Sequence, residues 1–165
     1  MARKQQNIFL LFSLSILSAN IILVPENYSS IQLAINNASN SDTVLVNPGI
    51  YLENITLNNL SLSLISSNGP DSTIINGNYN GSVININSPG NNILISGFTI
   101  KNGTGELLNT GSRFGGGIIS HNTILTLDSL IVEDNESFAG GGICFYAMES
   151  SQTHSVLKNS IIQNN

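Results

Sequence analysis

The segment DSLIVEDN, from Asp128 to Asn135, returns as KNSIIQNN from Lys158 to Asn165. The two copies begin 30 residues apart (158 − 128 = 30), and each has two apolar residues at its centre and an Asn at its end. An earlier relative, SGFTIKNG, spans Ser96 to Gly103. Self-similarity at this spacing indicates a chain built from stacked repeats. Because amides at equivalent positions of stacked strands can bond to one another, the terminal Asn predicts a ladder along the stack.

A glycine triplet followed by isoleucine also occurs twice, at Gly115–Ile118 and Gly140–Ile143, and the first glycines are 25 positions apart (140 − 115 = 25). A phosphate-binding loop would need a Lys followed by Ser or Thr and then a helix. Instead, each triplet runs into apolar residues typical of a strand. The triplets therefore predict tight turns from which the next strand enters the stack.

Short apolar runs bounded by Asn, Gly, Ser or Pro fill the rest of the chain, as in LSLSLIS at Leu60–Ser66 and SVININ at Ser82–Asn87. Alternating apolar and polar residues are typical of strands with one buried face. Two all-β architectures fit such strands: an antiparallel sandwich with Asn-Gly hairpins, or a parallel solenoid. A sandwich gives no reason for one strand to repeat its predecessor's sequence. With right-handed crossovers preferred, the sequence predicts a right-handed parallel β-helix.

The surface of this protein carries few charges. Of the 165 residues, 9% are charged, against about 25% in typical soluble domains. Asn, with 25 copies, is the commonest residue, and the formal net charge is −5. Nucleic-acid binding needs a basic footprint, so no nucleic-acid partner is expected.

The first residues are predicted to form a signal peptide, residues 1–19. A positive, polar start precedes the apolar run Ile8–Leu17, and small residues follow it. Such a run is shorter than the roughly 20 residues that span a bilayer. The alternative is an uncleaved anchor continuing to Val24. Cleavage near Ala19 would leave residues 20–165 as one β-helix domain without a membrane span.

A single short helix is predicted before the first coils. In YSSIQLAINNAS (Tyr28–Ser39), apolar residues follow the i, i+3, i+4, i+7 spacing of an amphipathic helix, and Ser29 or Ser30 suits its N-cap. Such a helix would cover the open end of the solenoid, which otherwise exposes apolar residues and strand edges. Since no comparable cap follows the last repeat, the chain is expected to be the N-terminal part of a longer protein.

The segment Val24–Leu57, VPENYSSIQLAINNASNSDTVLVNPGIYLENITL, resembles the first coil of pectin-lyase-like right-handed β-helix proteins, with Ser41 where their pattern prefers Gly. The later half resembles the GG[AI] and FxxN repeats of polymorphic outer-membrane-type surface proteins. There, Val132 and Ile162 stand in place of the Phe. The resemblance implies fold more than function, because one fold hosts many activities.

Pectate lyases within the first group use a calcium cluster and an Arg or Lys base, so the resemblance makes Arg113 a candidate catalytic residue. It lies in the Gly-rich segment GTGELLNTGSRFGGG. Carboxylates that could bind Ca²⁺ follow it in the chain: Asp128, Glu133, Asp134 and Glu136. Adjacent residues on a strand point to opposite faces, so the favoured interpretation is that these carboxylates are solvated turn charges. The motif that carries a catalytic Asp in pectin methylesterases is missing, so Tyr51 and Glu53 are predicted to be structural.

Three further side chains are predicted to have structural roles. His121 and His154 are expected in turns or on the surface, and Cys144 as a small buried apolar residue. No cofactor is expected, calcium excepted. The leading hypothesis is an exported or cell-surface module that binds polysaccharide or cell-surface glycans, or acts in adhesion, without catalysis. The alternative is a carbohydrate-active enzyme, a polysaccharide lyase or esterase, with most of its site in coils beyond Asn165.

Overall fold

A computed structural model describes residues 18–109, 111–146 and 154–165; the predicted signal peptide lies almost wholly outside these residues. In chain order, the elements are β1 (Ile21–Val24), α1 (Ile31–Asn36), β2 (Thr43–Val46), β3 (Gly49–Leu52), β4 (Ile55–Asn58), β5 (Leu62–Ser66), β6 (Thr73–Asn76), β7 (Ile84–Asn87), β8 (Asn92–Ser96), β9 (Thr99–Lys101), β10 (Glu106–Leu107), β11 (Arg113–Phe114), β12 (Ile118–His121), β13 (Ile124–Asp128), β14 (Ile131–Glu133), β15 (Ile143–Tyr146), β16 (Val156–Lys158) and β17 (Ile161–Gln163). Among the described residues, no helix is long and apolar enough to cross a membrane.

The strands stack into three sheets that run along the molecule. Sheet A has the order β1-β2-β5-β8-β13-β16, sheet B β3-β6-β9-β14-β17, and sheet C β4-β7-β12-β15. Each coil visits A, B and C in turn, and each strand then pairs in parallel with its equivalent in the next coil. In the described part of the chain, antiparallel pairing is confined to the β10–β11 hairpin. The all-β prediction and the parallel solenoid are confirmed, and the sandwich alternative is wrong.

The 30-residue repeat of Asp128–Asn135 and Lys158–Asn165 corresponds to one coil of this solenoid. Ile131 pairs with Ile161 and Val132 with Ile162 across β14 and β17. Side chains alternate along each strand, so every second residue points inward. On sheet A the inward row runs through Val44, Leu64, Ile95 and Leu127, all of which are fully buried. Equivalent rows on sheets B and C complete one continuous apolar core.

The corners between strands explain why Asn is so abundant. Many corner residues have a positive φ near 50–60°, a left-handed conformation that Asn and Asp tolerate better than other side chains. These non-glycine corner residues include Asn59, Asn102, Asn122, Ser129, Asp134, Asn159 and Asn164. Each coil needs such corners, so polar, uncharged residues recur once or more in every turn of the solenoid.

The terminal Asn of the repeat forms the predicted ladder. Asn135 donates its amide to Ile100 O at 3.1 Å and accepts from Gly103 N at 2.9 Å. Asn165 repeats the pattern one coil later: it donates to Val132 O at 2.8 Å and accepts from Asn135 N at 3.1 Å. The two side chains bond to each other at 2.9 Å. The Asn amides therefore form hydrogen bonds with backbone N–H and C=O groups at the corners, where the chain leaves the sheets.

The glycine triplets stack directly on each other. Gly117 N donates to Gly141 O at 3.0 Å, and Ile118 N donates to Gly142 O at 2.8 Å. A Cβ at Gly117 would lie 2.5 Å from Gly142 O, so a side chain has no room there. Gly115 and Gly140 have the positive φ values of tight turns, as predicted, and Gly117 is needed in addition for backbone packing between coils.

Helix α1 is fastened to the first coil by two polar side chains. Ser30 is its N-cap, as predicted, and accepts from Leu33 N. Both carboxylate oxygens of Glu53 accept from the first helical amides, Ile31 N and Gln32 N, at 2.9 Å. The Gln32 amide in turn bonds to both the N–H and the C=O of Thr56 on β4, the edge strand of sheet C. Glu53 is therefore structural, in agreement with the sequence prediction.

Candidate ligand-binding groove

The segment between β9 and β12 leaves the regular coil and folds back over sheet C. Its hairpin pairs Glu106 with Phe114 and Leu107 with Arg113. Beneath it, Ile119 is fully buried, although it alternates with the core residue Ile118 and so points away from the core. The hairpin segment thus supplies a wall beside the outer face of sheet C.

The parallel register aligns four polar or aromatic side chains on that outer face. Asn58, Asn87, His121 and Tyr146 occupy equivalent positions at the ends of β4, β7, β12 and β15. Adjacent strands are about 4.8 Å apart, so the four residues form a column along the solenoid axis. We call this the sheet C column.

An open groove of about 480 Å³ follows the sheet C column. Its lining is rich in amides and includes one carboxylate from the hairpin: Thr56, Asn58, Asn85, Asn87, Glu106, His121, Asn122 and Tyr146. These residues come from four successive coils and the hairpin, so the stacking of coils is what creates the groove.

One hydrogen bond ties the wall of the groove to its floor. His121 Nε2 donates to Glu106 Oε2 at 3.0 Å, because a carboxylate can only accept. The His121 side chain is 18% exposed and that of Glu106 is 33% exposed, so both remain reachable from the groove. The His121 ring also lies 5.5 Å from the Tyr146 ring, centroid to centroid. Phe114 of the hairpin packs edge-on against Tyr146 at 6.5 Å and holds that ring from the other side.

The chemistry of the groove suits a ligand with many hydroxyl groups. Amides both donate and accept, so Asn58, Asn85 and Asn87 can each bond to hydroxyls without a charge. Tyr146 adds an apolar ring with a negative face, which packs against C–H groups of a ligand. A site with an aromatic contact and a few placed polar groups is typical of small-molecule recognition.

The candidate catalytic residue Arg113 lies outside this groove. Its Nη1 donates to Gly105 O at 2.7 Å, within its own hairpin segment. Arg113 lines a second cavity of about 620 Å³ together with Glu136 and Phe138. Two of the residues selected from the sequence, Arg113 and Glu136, are therefore brought to one place.

The other candidate calcium ligands face different partners. Asp128, at the end of β13, accepts from Asn159 Nδ2 at 2.9 Å and lies 3.4 Å from Lys158 Nζ. The hydrogen bond from Asn159, followed by those from Ser129 and Lys158, lowers the pKa of Asp128. Glu133, on the outer face of sheet B, accepts from Gln163 Nε2 at 2.8 Å.

Asp134 is an exposed corner residue with φ 55°. Among the described residues, no three His, Cys, Asp or Glu side chains lie close enough together to hold a metal ion. The structure thus does not bring the four carboxylates together, and the calcium assignment stays a prediction.

The residues that form the groove were not predicted from the sequence. His121 was expected in a turn or on the surface, but it lies in β12 and is partly buried against Glu106. His154 is exposed, as expected. The signal that identifies the groove is the alignment of coils: Asn58, Asn87 and His121 all end a strand of sheet C.

Cys144 is half-buried at the second position of β15. It pairs with Ile119 in the register of sheet C, so it points outward instead of into the core. Burial raises the pKa of its thiol, which disfavours the reactive thiolate. The residue was expected to be fully buried, and the structure corrects this to a partly covered position on the outer face.

A comparison of the chain with models of known protein families and with curated proteins finds no match.

Proposed function

We propose that this chain is an exported or cell-surface β-helix module that binds glycans in the groove of sheet C. The observation that carries the proposal is the sheet C column of Asn58, Asn87, His121 and Tyr146 beside the hairpin wall. Its members repeat along the solenoid axis, so a linear polymer lying along that axis meets similar polar groups at regular intervals. A role in adhesion would follow from the same contact.

The charges of the groove favour binding over catalysis. Glycoside hydrolysis generally uses two carboxylates about 5–10 Å apart. Among the described residues that line the groove, Glu106 is the one acidic side chain. Its partner is His121, so the groove offers contacts for hydroxyl groups without the pair of acids that hydrolysis requires.

The handedness of the solenoid, the capping role of helix α1 and the export of the protein are part of the same proposal. Right-handed crossovers are strongly preferred for parallel strands, so we infer a right-handed β-helix. Helix α1 contributes the buried residues Ile31, Ala34 and Ile35 at the first coil, which supports a capping role. Export rests on the signal-peptide pattern of residues 1–19. The abundance of Asn, whose amide both donates to and accepts from hydroxyl groups, supports a carbohydrate ligand.

The proposal is tested by measuring binding of the purified chain to a panel of immobilised plant, fungal and bacterial polysaccharides, followed by calorimetry with oligomers of those retained. Tyr146→Ala should weaken binding about tenfold or more, since an aromatic anchor is worth at least about 1.4 kcal/mol. Tyr79→Ala is the matched control, because Tyr79 is 65% exposed and does not line the groove. Binding that Tyr146→Ala leaves unchanged, or no retention by any polysaccharide, contradicts the proposal.

A second candidate function, a polysaccharide lyase or esterase, is favoured by one observation. Arg113 and Glu136 line the same cavity, which therefore holds both a cation and a carboxylate. Lyase activity would release unsaturated, ultraviolet-absorbing products from a polyuronate in the presence of calcium. Activity that Arg113→Ala abolishes would rank the enzyme above the binding module.

A further inference from the structure

In the described part of the chain, the groove of sheet C has a carboxylate but no Lys or Arg to balance an acidic ligand. That carboxylate is Glu106. Arg113, on the neighbouring strand of the hairpin, lines the second cavity instead and is bonded to Gly105 O. The formal net charge of the chain, −5, adds to the negative potential that an approaching ligand meets.

Glu106 keeps one oxygen available for a ligand. Its Oε2 accepts from His121 Nε2, whereas within the described part of the chain Oε1 has no hydrogen-bond partner. The side chain is 33% exposed and its position is set by the bond to His121. A carboxylate oriented by one donor and open on its other oxygen is ready to accept a second, charged donor.

We infer that the groove prefers glycans built from hexosamines with free amino groups over N-acetylated, neutral or uronic-acid glycans. This inference rests on the glycan-binding function proposed above. The ammonium group of such a sugar donates to Glu106 Oε1, while Asn58 and Asn87 bond to hydroxyls of neighbouring units. A uronate carboxylate in the same place would face Glu106 at short range without a cationic partner, and like charges in an interface disfavour binding.

The test compares three oligomers of matched length by calorimetry with the purified chain: β-1,4-linked glucosamine, its fully N-acetylated counterpart and galacturonate. We expect glucosamine to bind about tenfold more tightly than the N-acetylated oligomer, as for one charge-assisted hydrogen bond. Galacturonate should bind most weakly. The preference for glucosamine should shrink as salt is raised, whereas binding of the N-acetylated oligomer should change little.

Two variants distinguish the effect of the Glu106 carboxylate on binding from the effect of the protein's net charge. Glu106→Gln should bring the affinities for the glucosamine and N-acetylated oligomers to within about twofold of each other. Asp71→Asn removes the same charge at an exposed position outside both cavities and should keep the tenfold preference. Circular dichroism melts of both variants check that they fold; the preference of the unaltered chain tests the inference independently of either variant.

The outcomes distinguish this inference from the function on which it rests. Tight binding of the N-acetylated or a neutral oligomer without preference for glucosamine overturns the inference and leaves glycan binding intact. Preferred binding of galacturonate overturns it as well. If the Glu106→Gln variant still prefers glucosamine, the selectivity does not come from Glu106, and the inference is overturned. Absence of binding to every glycan contradicts both proposals.

Discussion

His121 Nε2 lies 3.0 Å from Glu106 Oε2, and this bond joins a strand of the β-helix to a hairpin inserted within one coil, between β9 and β12. The two residues are 15 positions apart in the chain but belong to different structural units, sheet C and the hairpin β10–β11. The bond sets the width of the groove, because it fixes the hairpin wall against the sheet C column. Ring contacts of Tyr146 with His121 and Phe114 reinforce the same junction.

Replacing His121 with Ala should loosen the hairpin without unfolding the protein. A hydrogen bond between two partly exposed side chains contributes about 0.5–1.5 kcal/mol net, so the free energy of unfolding should fall by no more than about 1.5 kcal/mol. Amide hydrogen exchange of Glu106 and Leu107 should become faster, and glycan affinity should drop. His154→Ala, at an exposed position outside the groove, is the control. Unchanged exchange in the hairpin would show that the bond does not hold it.

Replacing Gly117 with Ala should destabilise the solenoid by about 3 kcal/mol, the upper part of the range for an overpacked site. The reason is steric: the new Cβ would lie 2.5 Å from Gly142 O in the next coil. Gly69→Ala is an instructive control, because Gly69 has a positive φ of 84° but open space around it. Its cost should be about 1 kcal/mol, from backbone strain alone. Urea unfolding of both variants measures the difference, and equal losses would contradict close packing between the glycine triplets.

Replacing Asn135 with Ala should cost at least about 2 kcal/mol, because buried groups left unpaired cost about 1–3 kcal/mol each. Asn135 is 2% exposed, and its side chain accepts from Gly103 N and donates to Ile100 O. Asn92→Ala removes an exposed amide for which the described residues offer no side-chain partner, and should be nearly neutral. Thermal melts compare the two. A loss at Asn135 no larger than at Asn92 would show that the ladder adds no stability.

The buried carboxylate of Asp42 should make the protein less stable in acid. Its pKa lies below the ordinary value of 3.8, chiefly because the backbone N–H of Ser39 donates to it, and then because that of Asn20 does. A carboxyl group with a lowered pKa in the folded state stabilises the fold at all pH values above its unfolded pKa. That contribution is lost as the pH falls through the folded pKa.

Unfolding by urea as a function of pH measures this effect. The unaltered chain should lose stability as the pH falls below about 3.8. Asp42→Asn should be less stable by about 1–3 kcal/mol at neutral pH and should show a flatter profile in acid. Asp71→Asn, at an exposed position, should retain the steep profile. Parallel profiles for the Asp42 variant and the unaltered chain would contradict a role for this carboxylate.

Sequence periodicity was enough to predict the solenoid and the way its coils are joined. The pairing of Ile131 with Ile161 follows from the 30-residue repeat, and the ladder from Asn135 to Asn165 follows from the shared terminal Asn. The helix at Ile31–Asn36 and its cap Ser30 were also predicted, from apolar spacing and a local capping residue. These features depend on residues close in sequence or on residues at equivalent repeat positions, so patterns in the chain reveal them.

The candidate groove was not predictable in the same way. Arg113 was the charged residue selected from the sequence, but in the structure it lines the second cavity. Glu106, on the other strand of the hairpin, lines the groove instead. The side to which a two-residue strand turns depends on where the insertion packs. That is decided by contacts such as Phe114 against Tyr146, which the local sequence does not encode.

By itself, the sequence determined that this protein is a stack of β-coils with Asn at its corners and glycines where coils meet. Alternation and repetition are properties of the chain, and each coil buries its apolar residues against a near copy of itself. Only the tertiary structure decided that Asn58, Asn87, His121 and Tyr146 share one column and that Glu106 stands beside it. The connections between these residues differ in length, so their alignment arises from the register of parallel hydrogen bonds, which brings distant residues together regardless of the loops between them.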